Sequence, residues 1–175
     1  MYMIKLIFSM TKIYSRYHEL RTKIADLQFI MALLQWDQEV MMPVDGSNFR
    51  AQQLASISEL VFELSTSAEI EDLMLQLIAD ENLSQIQKSN VKESYRIYSK
   101  EKKLSAAFVT EFSRTCSEAY TSWVKARSEN NFSIYTEKLS RVMELSRQRA
   151  DLYGFTAHPY EALMDDYEPG LTIVI

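Results

Sequence analysis

The chain has 175 residues, enough for one domain with a hydrophobic core, and its 47% hydrophobic and 25% charged residues exclude a disordered protein. It contains only three glycines and three prolines, which argues against a loop-rich β fold and favours long helices. The formal net charge is -5 and no basic cluster stands out, so nucleic acid and membranes are not expected as partners.

The amino-terminal stretch MYMIKLIFSM has the apolar character of a signal peptide, but it is short, Lys5 interrupts it, and no small-residue cleavage site follows. No stretch of the sequence reaches the about 18 apolar residues that a membrane span needs. The single cysteine, Cys116, cannot form an internal disulfide bond. We therefore predict a cytoplasmic protein in which residues 1–11 are a candidate extension, with Met1 or Met10 as the start.

The first two predicted helices are marked by apolar residues at three- and four-residue steps. The stripe of the first helix comprises Leu20, Ile24, Leu27, Met31 and Leu34. We expect Asp37 and Pro43 to stop this helix. Gly46 and Ser47 are expected to open the second helix, with Ser47 as its N-cap. The stripe of the second helix comprises Leu54, Ile57, Val61 and Leu64.

Capping signals predict where the later helices begin and end. Thr66 with Glu69, and Ser84 with Gln87, have capping-box spacing, and Ser105 begins a further helix. The pair Asn130–Asn131 breaks that helix, and the last long one ends near Gly154. A short helical turn follows and is closed by Pro169 and Gly170. The prediction is an all-α antiparallel bundle of about six helices in one domain over residues 12–172, with 173–175 as a truncated tail.

Metal-binding and catalytic motifs are not recognisable in this sequence. A zincin helix needs His-Glu-x-x-His, whereas His18-Glu19 is followed at the fourth position by Thr22, and the only other histidine is His158. Cys116 is interpreted as a small apolar helix residue, with a nucleophile as the alternative. We therefore predict no catalytic, metal-binding or cofactor-binding residue in this chain.

Other conspicuous side chains have structural interpretations. Asp165 to Glu168 is the densest acidic cluster; a solvated turn is the preferred interpretation there, with an acid–base pair as the alternative. Trp36 and Trp123 lie in helical patterns and are expected in the core. Asp37 is expected either to cap a neighbouring helix or to pair with Arg50.

Three segments, in this order and spacing, resemble the zinc metallocarboxypeptidases of the thermostable carboxypeptidase Taq family. The first segment carries Trp36-Asp37, Met42-Pro43, Gly46 and Arg50-Ala51-Gln52-Gln53. The second carries Trp123, Ala126, Arg127, Asn131 and Phe132, and the third is HPYEALMDDYEPGLT. The matches span roughly Lys12 to Thr172, which is nearly the whole chain.

The resemblance implies the amino-terminal helical segment of a peptidase that removes C-terminal amino acids from peptides with zinc or another divalent metal. Members of that family are longer, and their His-Glu-x-x-His helix, third zinc ligand and substrate-carboxylate-binding residues come after the segment that matches here. We therefore expect this chain to be inactive alone. The alternative is a non-enzymatic helical interaction module derived from that segment. Because helices that normally pack on a downstream half would be left uncovered, we also expect self-association as a homodimer.

Overall fold

The computed structural model describes residues 2–173, without the side chains of residues 2–11 and Val44. The described residues form seven α-helices and no strand. The helices are α1 (Tyr2–Val40), α2 (Ser47–Ser65), α3 (Ala68–Ile78), α4 (Gln85–Glu101), α5 (Ala106–Ser128), α6 (Ser133–Tyr153) and α7 (Pro159–Met164), and a 3-10 turn (Val44–Gly46) precedes α2. The all-α prediction is confirmed, with six longer helices and α7 as the short helical turn.

The predicted domain limits, residues 12–172 with an extension 1–11 and a tail 173–175, stay a prediction. α1 is helical from Tyr2, so residues 2–11 of the candidate extension continue directly into the first helix. Met1 of that extension, and Val174 and Ile175 of the tail 173–175, lie outside the described residues.

The helix starts follow from local side-chain chemistry. Ser84 accepts the N–H of Gln87 while the Gln87 side chain accepts the N–H of Ser84, so the predicted capping box is confirmed. Ser105 accepts the N–H of Phe108 at 3.2 Å and begins α5 as predicted. Both caps have an extended backbone, which lets a serine hydroxyl reach the amides of the first turn.

Two predicted caps are wrong, each by one residue. Ser47 has helical angles (φ -59, ψ -43) because the 3-10 turn leads straight into α2, and a residue in that conformation cannot act as the N-cap. Ser67, with ψ 149, caps α3 by accepting from Ile70. Thr66 instead donates its hydroxyl to the carbonyl of Phe62 at 2.7 Å and so belongs to the end of α2.

Two residues with positive φ lie where α5 and α6 end. Gly154 (φ 79) ends α6 where predicted, and Asn130 (φ 47) lies in the break between α5 and α6. Asparagine is one of the few residues with a side chain that adopts this conformation at low cost. The chain reversal between α5 and α6 is therefore encoded locally.

The main hydrophobic core lies where the amino-terminal half of α1 packs on α3 and α4. Its buried residues are Tyr17, Leu20, Ile24, Ile70, Met74, Leu77, Val91 and Tyr98. Tyr17 shares a hydrogen bond of 2.7 Å with the Ser94 hydroxyl, so the one polar atom it buries has a partner. Leu20 and Ile24 are buried as the stripe predicts, whereas Leu27, Met31 and Leu34 are only half-buried.

The remaining helices form a row in which α2 packs between α1 and α5, α5 packs on α6, and α6 on α7. α2 presents Ala51, Ala55 and Ser58, all buried, and small residues allow neighbouring helices to approach closely. α1 and α5 therefore flank α2 and leave a groove above it. None of the helices formed by the described residues is long and apolar enough to cross a membrane.

Candidate functional site

A groove with a volume of about 610 Å³ runs between α1 and α5 over α2. α1 supplies Gln28, Met31, Gln35 and Gln38, and α5 supplies Phe108, Phe112, Cys116 and Tyr120. Each set recurs at three- and four-residue steps, so each helix turns one continuous face to the groove. The floor is formed by Leu54, Ser58, Val61, Phe62 and Ser65 of α2.

Direct hydrogen bonds join the two walls of the groove at one end. The side-chain amide of Gln38 donates to the backbone carbonyl of Ser117 at 3.1 Å, and the Ser117 hydroxyl donates back to Gln38 Oε1 at 2.9 Å. In the floor, Ser58 donates to the Ser113 hydroxyl at 2.8 Å and links α2 to α5. The groove is therefore bounded by paired polar groups and lined between them mainly by apolar side chains.

Arg50, on α2, links the carboxyl end of α1 to α2 through hydrogen bonds and an ion pair. Its guanidinium donates to Asp37 Oδ2 at 2.5 Å, to the carbonyl of Leu34 at 2.5 Å and to Gln53 Oε1 at 3.0 Å. Its side chain is only 12% exposed, so these bonds are shielded from water. Of the two roles expected for Asp37, the structure shows the pairing with Arg50.

The opposite end of the groove is closed by Arg149. The guanidinium lies 5.1 Å from the centre of the Tyr153 ring and 5.7 Å from that of Phe112, and its Nε donates to the Tyr153 hydroxyl at 3.0 Å. A further N–H donates to Asp166 at 2.7 Å. Burial raises the pKa of Tyr153, and the positive charge of Arg149 opposes that rise.

The acidic cluster after α7 belongs to a network of ion pairs. Asp165 accepts from Arg96 at 2.7 Å and from Lys100 at 3.0 Å, and Asp166 accepts from Lys100 at 2.5 Å and from Arg149. The hydrogen bond from Lys100, aided by the N–H of Gly170, holds the pKa of Asp165 below its usual range. Asp165 is half-buried and Asp166, Tyr167 and Glu168 are exposed, so the expectation of a solvated turn is confirmed for most of the cluster. Within that turn Asp165 and Asp166 also tie α7 to α4 and α6.

Besides Tyr153, burial shifts the pKa of two further groups in the groove wall in the same direction. Burial raises the pKa of the Glu101 carboxyl and also that of the Cys116 thiol. A raised pKa favours the thiol over the thiolate, which is the nucleophilic form. Cys116 thus fits the expectation of a packing residue on α5 better than that of a nucleophile.

The two histidines lie on separate elements. His18 is exposed on α1, with its Nδ1 3.5 Å from the Thr22 hydroxyl. His158 caps α7 by accepting the N–H of Tyr160 at 3.1 Å. Among the residues that the structure describes, no three side chains of histidine, cysteine, aspartate or glutamate gather as metal ligands.

Both tryptophans are exposed, so the prediction that they lie in the core is wrong. Trp36 is 54% and Trp123 is 44% exposed. At 3.6 residues per turn, Trp36 lies about 160° around α1 from Leu20, so it points away from the main core. Trp123 lies beside Tyr120 near the end of α5, with ring centres 6.0 Å apart.

Sequence reasoning missed Arg149, Glu101 and Lys100, which shape the closed end of the groove. The only local signal was the four-residue step from Arg149 to Tyr153, which places both on one face of α6. Nothing in the sequence indicated that α4 and the turn after α7 would meet there.

The chain is similar to known carboxypeptidases along most of its length. The family model for carboxypeptidase Taq (M32) metallopeptidase matches residues 16–174. Carboxypeptidase 1 of Bacillus subtilis is 29% identical over 160 residues, which are 91% of this chain and 32% of that protein. Thermostable carboxypeptidase 1 of Pyrococcus furiosus is 31% identical over 140 residues, which are 80% of this chain and 28% of that protein.

The fold agrees with these matches. The solved structure described as the BsuCP crystal structure superposes with a TM-score of 0.90 at 29% identity, over 93% of this chain and 33% of that one. The chain thus spans about a third of the length of the relatives it matches. The chain belongs to the carboxypeptidase Taq (M32) metallopeptidase family.

Proposed function

We propose that this chain is the amino-terminal helical segment of a zinc-dependent carboxypeptidase and does not catalyse peptide hydrolysis by itself. The observation that carries the proposal is the family match over residues 16–174, combined with coverage of only about a third of the relatives. In this proposal the segment contributes one wall of a peptide-binding groove, and the zinc-binding residues belong to the rest of the family fold.

The described residues do not fit a zinc site, although the family is one of metallopeptidases. A catalytic zinc ion needs three protein ligands that converge on one point. The Nδ1 of His158 is engaged as the cap of α7, and that of His18 faces the Thr22 hydroxyl on a different helix. No catalytic step is therefore assigned to a residue of this chain.

The groove supports a binding role without a catalytic one. Its walls carry amide and hydroxyl groups between apolar side chains, a mixture that suits a peptide with varied side chains. Peptides are the substrates in this proposal. A cytoplasmic location is part of it too, supported by the single cysteine, which allows no internal disulfide bond.

Two measurements on the purified chain test the proposal. After loading with zinc or cobalt and washing, we expect elemental analysis to find no stoichiometric metal. With blocked dipeptides we expect no release of C-terminal amino acids, while full-length carboxypeptidase 1 of Bacillus subtilis serves as the active control. Turnover that a chelator abolishes, together with about one metal ion per chain that is lost in His18→Ala or His158→Ala, would overturn it.

A second candidate is a non-enzymatic helical interaction module, favoured by the apolar side chains that α1 exposes. The coding sequence that follows codon 175 separates the two. A His-Glu-x-x-His helix encoded there in any reading frame supports the peptidase segment, and an unrelated gene supports the interaction module.

A further inference from the structure

The carboxylate of Glu101 lines the closed end of the groove. Glu101 is the last residue of α4, and Ser65, Leu104, Arg149 and Tyr153 line the groove with it. Burial raises the pKa of the Glu101 carboxyl, and a hydrogen bond from the Ser65 hydroxyl opposes that rise. The side chain is therefore half-buried but can still be reached from the groove.

The lysines beside Glu101 at the end of α4 all bind other groups. Lys100 and Lys102 form ion pairs with other carboxylates at 3.0 and 2.6 Å, and Lys103 donates to a backbone carbonyl of α6 at 2.6 Å. Among the side chains that the structure describes, none of the ion pairs includes Glu101. A carboxylate that loses water without gaining a cation is unfavourable, so a bound cation would stabilise it.

The charged side chains that line the groove favour a cation over an anion. Glu39 and Glu101 are acidic, and Arg149 is basic. The guanidinium of Arg149 already pairs with Asp166 at 2.7 Å, so its charge is compensated. The positive charges of Arg21 and Arg149 lower the pKa of the Glu101 carboxyl without forming an ion pair with it. A ligand that carries its own positive charge therefore meets a carboxylate whose charge is not yet paired.

The groove beside Glu101 suits an aliphatic stem. The rings of Phe108 and Phe112 lie nearly parallel on the α5 wall with centres 6.1 Å apart, and Val61 and Phe62 contribute to the floor. The volume of about 610 Å³ is within the range of small-molecule sites. Long basic side chains bury their methylene groups along apolar surface while the charged end reaches a polar partner.

We propose that the closed end of the groove binds the basic side chain of a lysine or arginine in a peptide, with Glu101 as the ion-pair partner. The proposal deepens the proposed function and rests on it for the peptide, whereas the site itself rests on the charges and walls of the groove. It concerns binding and assigns no bond cleavage to this chain. A free alkylamine carries the same chemistry, so it is the smallest probe of the site.

Calorimetric titration of the whole chain with hexylamine, hexanol and hexanoate is the first test. The probes share their aliphatic stem and differ in charge. We expect hexylamine to bind about tenfold or more tightly than hexanol, which is the size of a charge-assisted hydrogen bond, and hexanoate to bind most weakly. No binding of hexylamine, or equal binding of hexylamine and hexanol, would overturn the proposal.

Replacing Glu101 with glutamine keeps the size of the side chain and removes its charge. Glu101→Gln should weaken hexylamine binding by about tenfold and leave hexanol binding unchanged. The matched control is Glu59→Gln on α2, which is exposed, lies outside the groove lining and changes the net charge equally, so it should bind hexylamine as the wild type does. Glu101→Gln should unfold at a urea concentration no lower than the wild type, because Glu101 stabilises no ion pair among the described side chains. Undiminished hexylamine binding by Glu101→Gln would refute the assigned partner.

Peptides that are blocked at both ends test the source of the cation. A peptide with a central lysine should bind more tightly than the same peptide with norleucine, and Glu101→Gln should abolish the difference. Binding of hexylamine through Glu101 without a preference for the lysine peptide would overturn the peptide as the ligand and indicate a free amine. Chelator-sensitive hydrolysis by a chain that shows the lysine preference would instead overturn the absence of catalysis in the proposed function and leave the site intact.

Discussion

Replacing Arg50 with alanine tests whether one guanidinium holds the end of α1 in place. The substitution removes donors to the Asp37 carboxylate, to the Leu34 carbonyl and to the Gln53 side chain. Hydrogen bonds that involve a charged group contribute about 1.5–3 kcal/mol each. Asp37 and the Leu34 carbonyl can recover part of this loss from water, so we expect the free energy of unfolding to fall by about 2 kcal/mol in total.

Urea unfolding followed by circular dichroism measures that loss, which corresponds to a fall in melting temperature of about 4–8 °C for a domain of this size. Arg50→Lys keeps the positive charge but cannot make all three hydrogen bonds of the guanidinium, so it should recover only part of the stability. The control is Arg16→Ala, which removes an ion pair with Glu69 whose two side chains are largely exposed. If Arg50→Ala lowers the free energy of unfolding no more than Arg16→Ala does, or if Arg50→Lys is as stable as the wild type, the buried hydrogen bonds of Arg50 do not stabilise the protein as argued.

Three further outcomes are expected. Leu77→Ala, in the main core, should lower the free energy of unfolding by about 2–5 kcal/mol in the same urea assay, well above Leu75→Ala on the exposed side of α3. Gly154→Ala should cost about 1–3 kcal/mol because φ 79 with ψ 146 is a backbone conformation that essentially only glycine adopts, and a neutral effect would contradict that. The pKa of Asp165 is lowered in the folded state, chiefly by Lys100, so its contribution to stability is present above the unfolded-state pKa of about 4 and is lost as pH falls through the folded-state value. The unfolding midpoint of Asp165→Asn should therefore fall less steeply below pH 4 than that of the wild type.

Features decided by residues close in sequence could be predicted. Ser84 and Gln87 form the capping box from three residues apart, and Gly154 ends α6 through its own backbone freedom. Leu20 and Ile24 are buried as their spacing predicts. The capping box and the helix end are decided within one helical turn, and spacing alone places Leu20 and Ile24 on one apolar face, so the sequence pattern contains these features.

The closed end of the groove could not be predicted, because its contacts join distant parts of the chain. Asp165 meets Arg96 across 69 residues and Lys100 across 65. A cluster of acidic residues in a turn is usually solvated, and only the tertiary arrangement of α4, α6 and α7 gives these carboxylates their partners. The same holds for Arg50, where the sequence indicated a candidate partner but not the additional bonds to Leu34 and Gln53.

The misplacement of Trp36 has a physical origin. α1 carries two apolar faces that meet near Leu27, one buried against α3 and α4 by Leu20 and Ile24 and the other exposed at Phe29, Leu33 and Trp36. Periodicity shows that a face is apolar, but it does not show what covers that face, so a tryptophan in helical register was assigned to the core. In the folded chain the second face has no helix of its own to pack on among the described residues. Water contact with these large apolar side chains is unfavourable by roughly 25 cal/mol for each Å² exposed, and this free energy is available to whichever surface covers them.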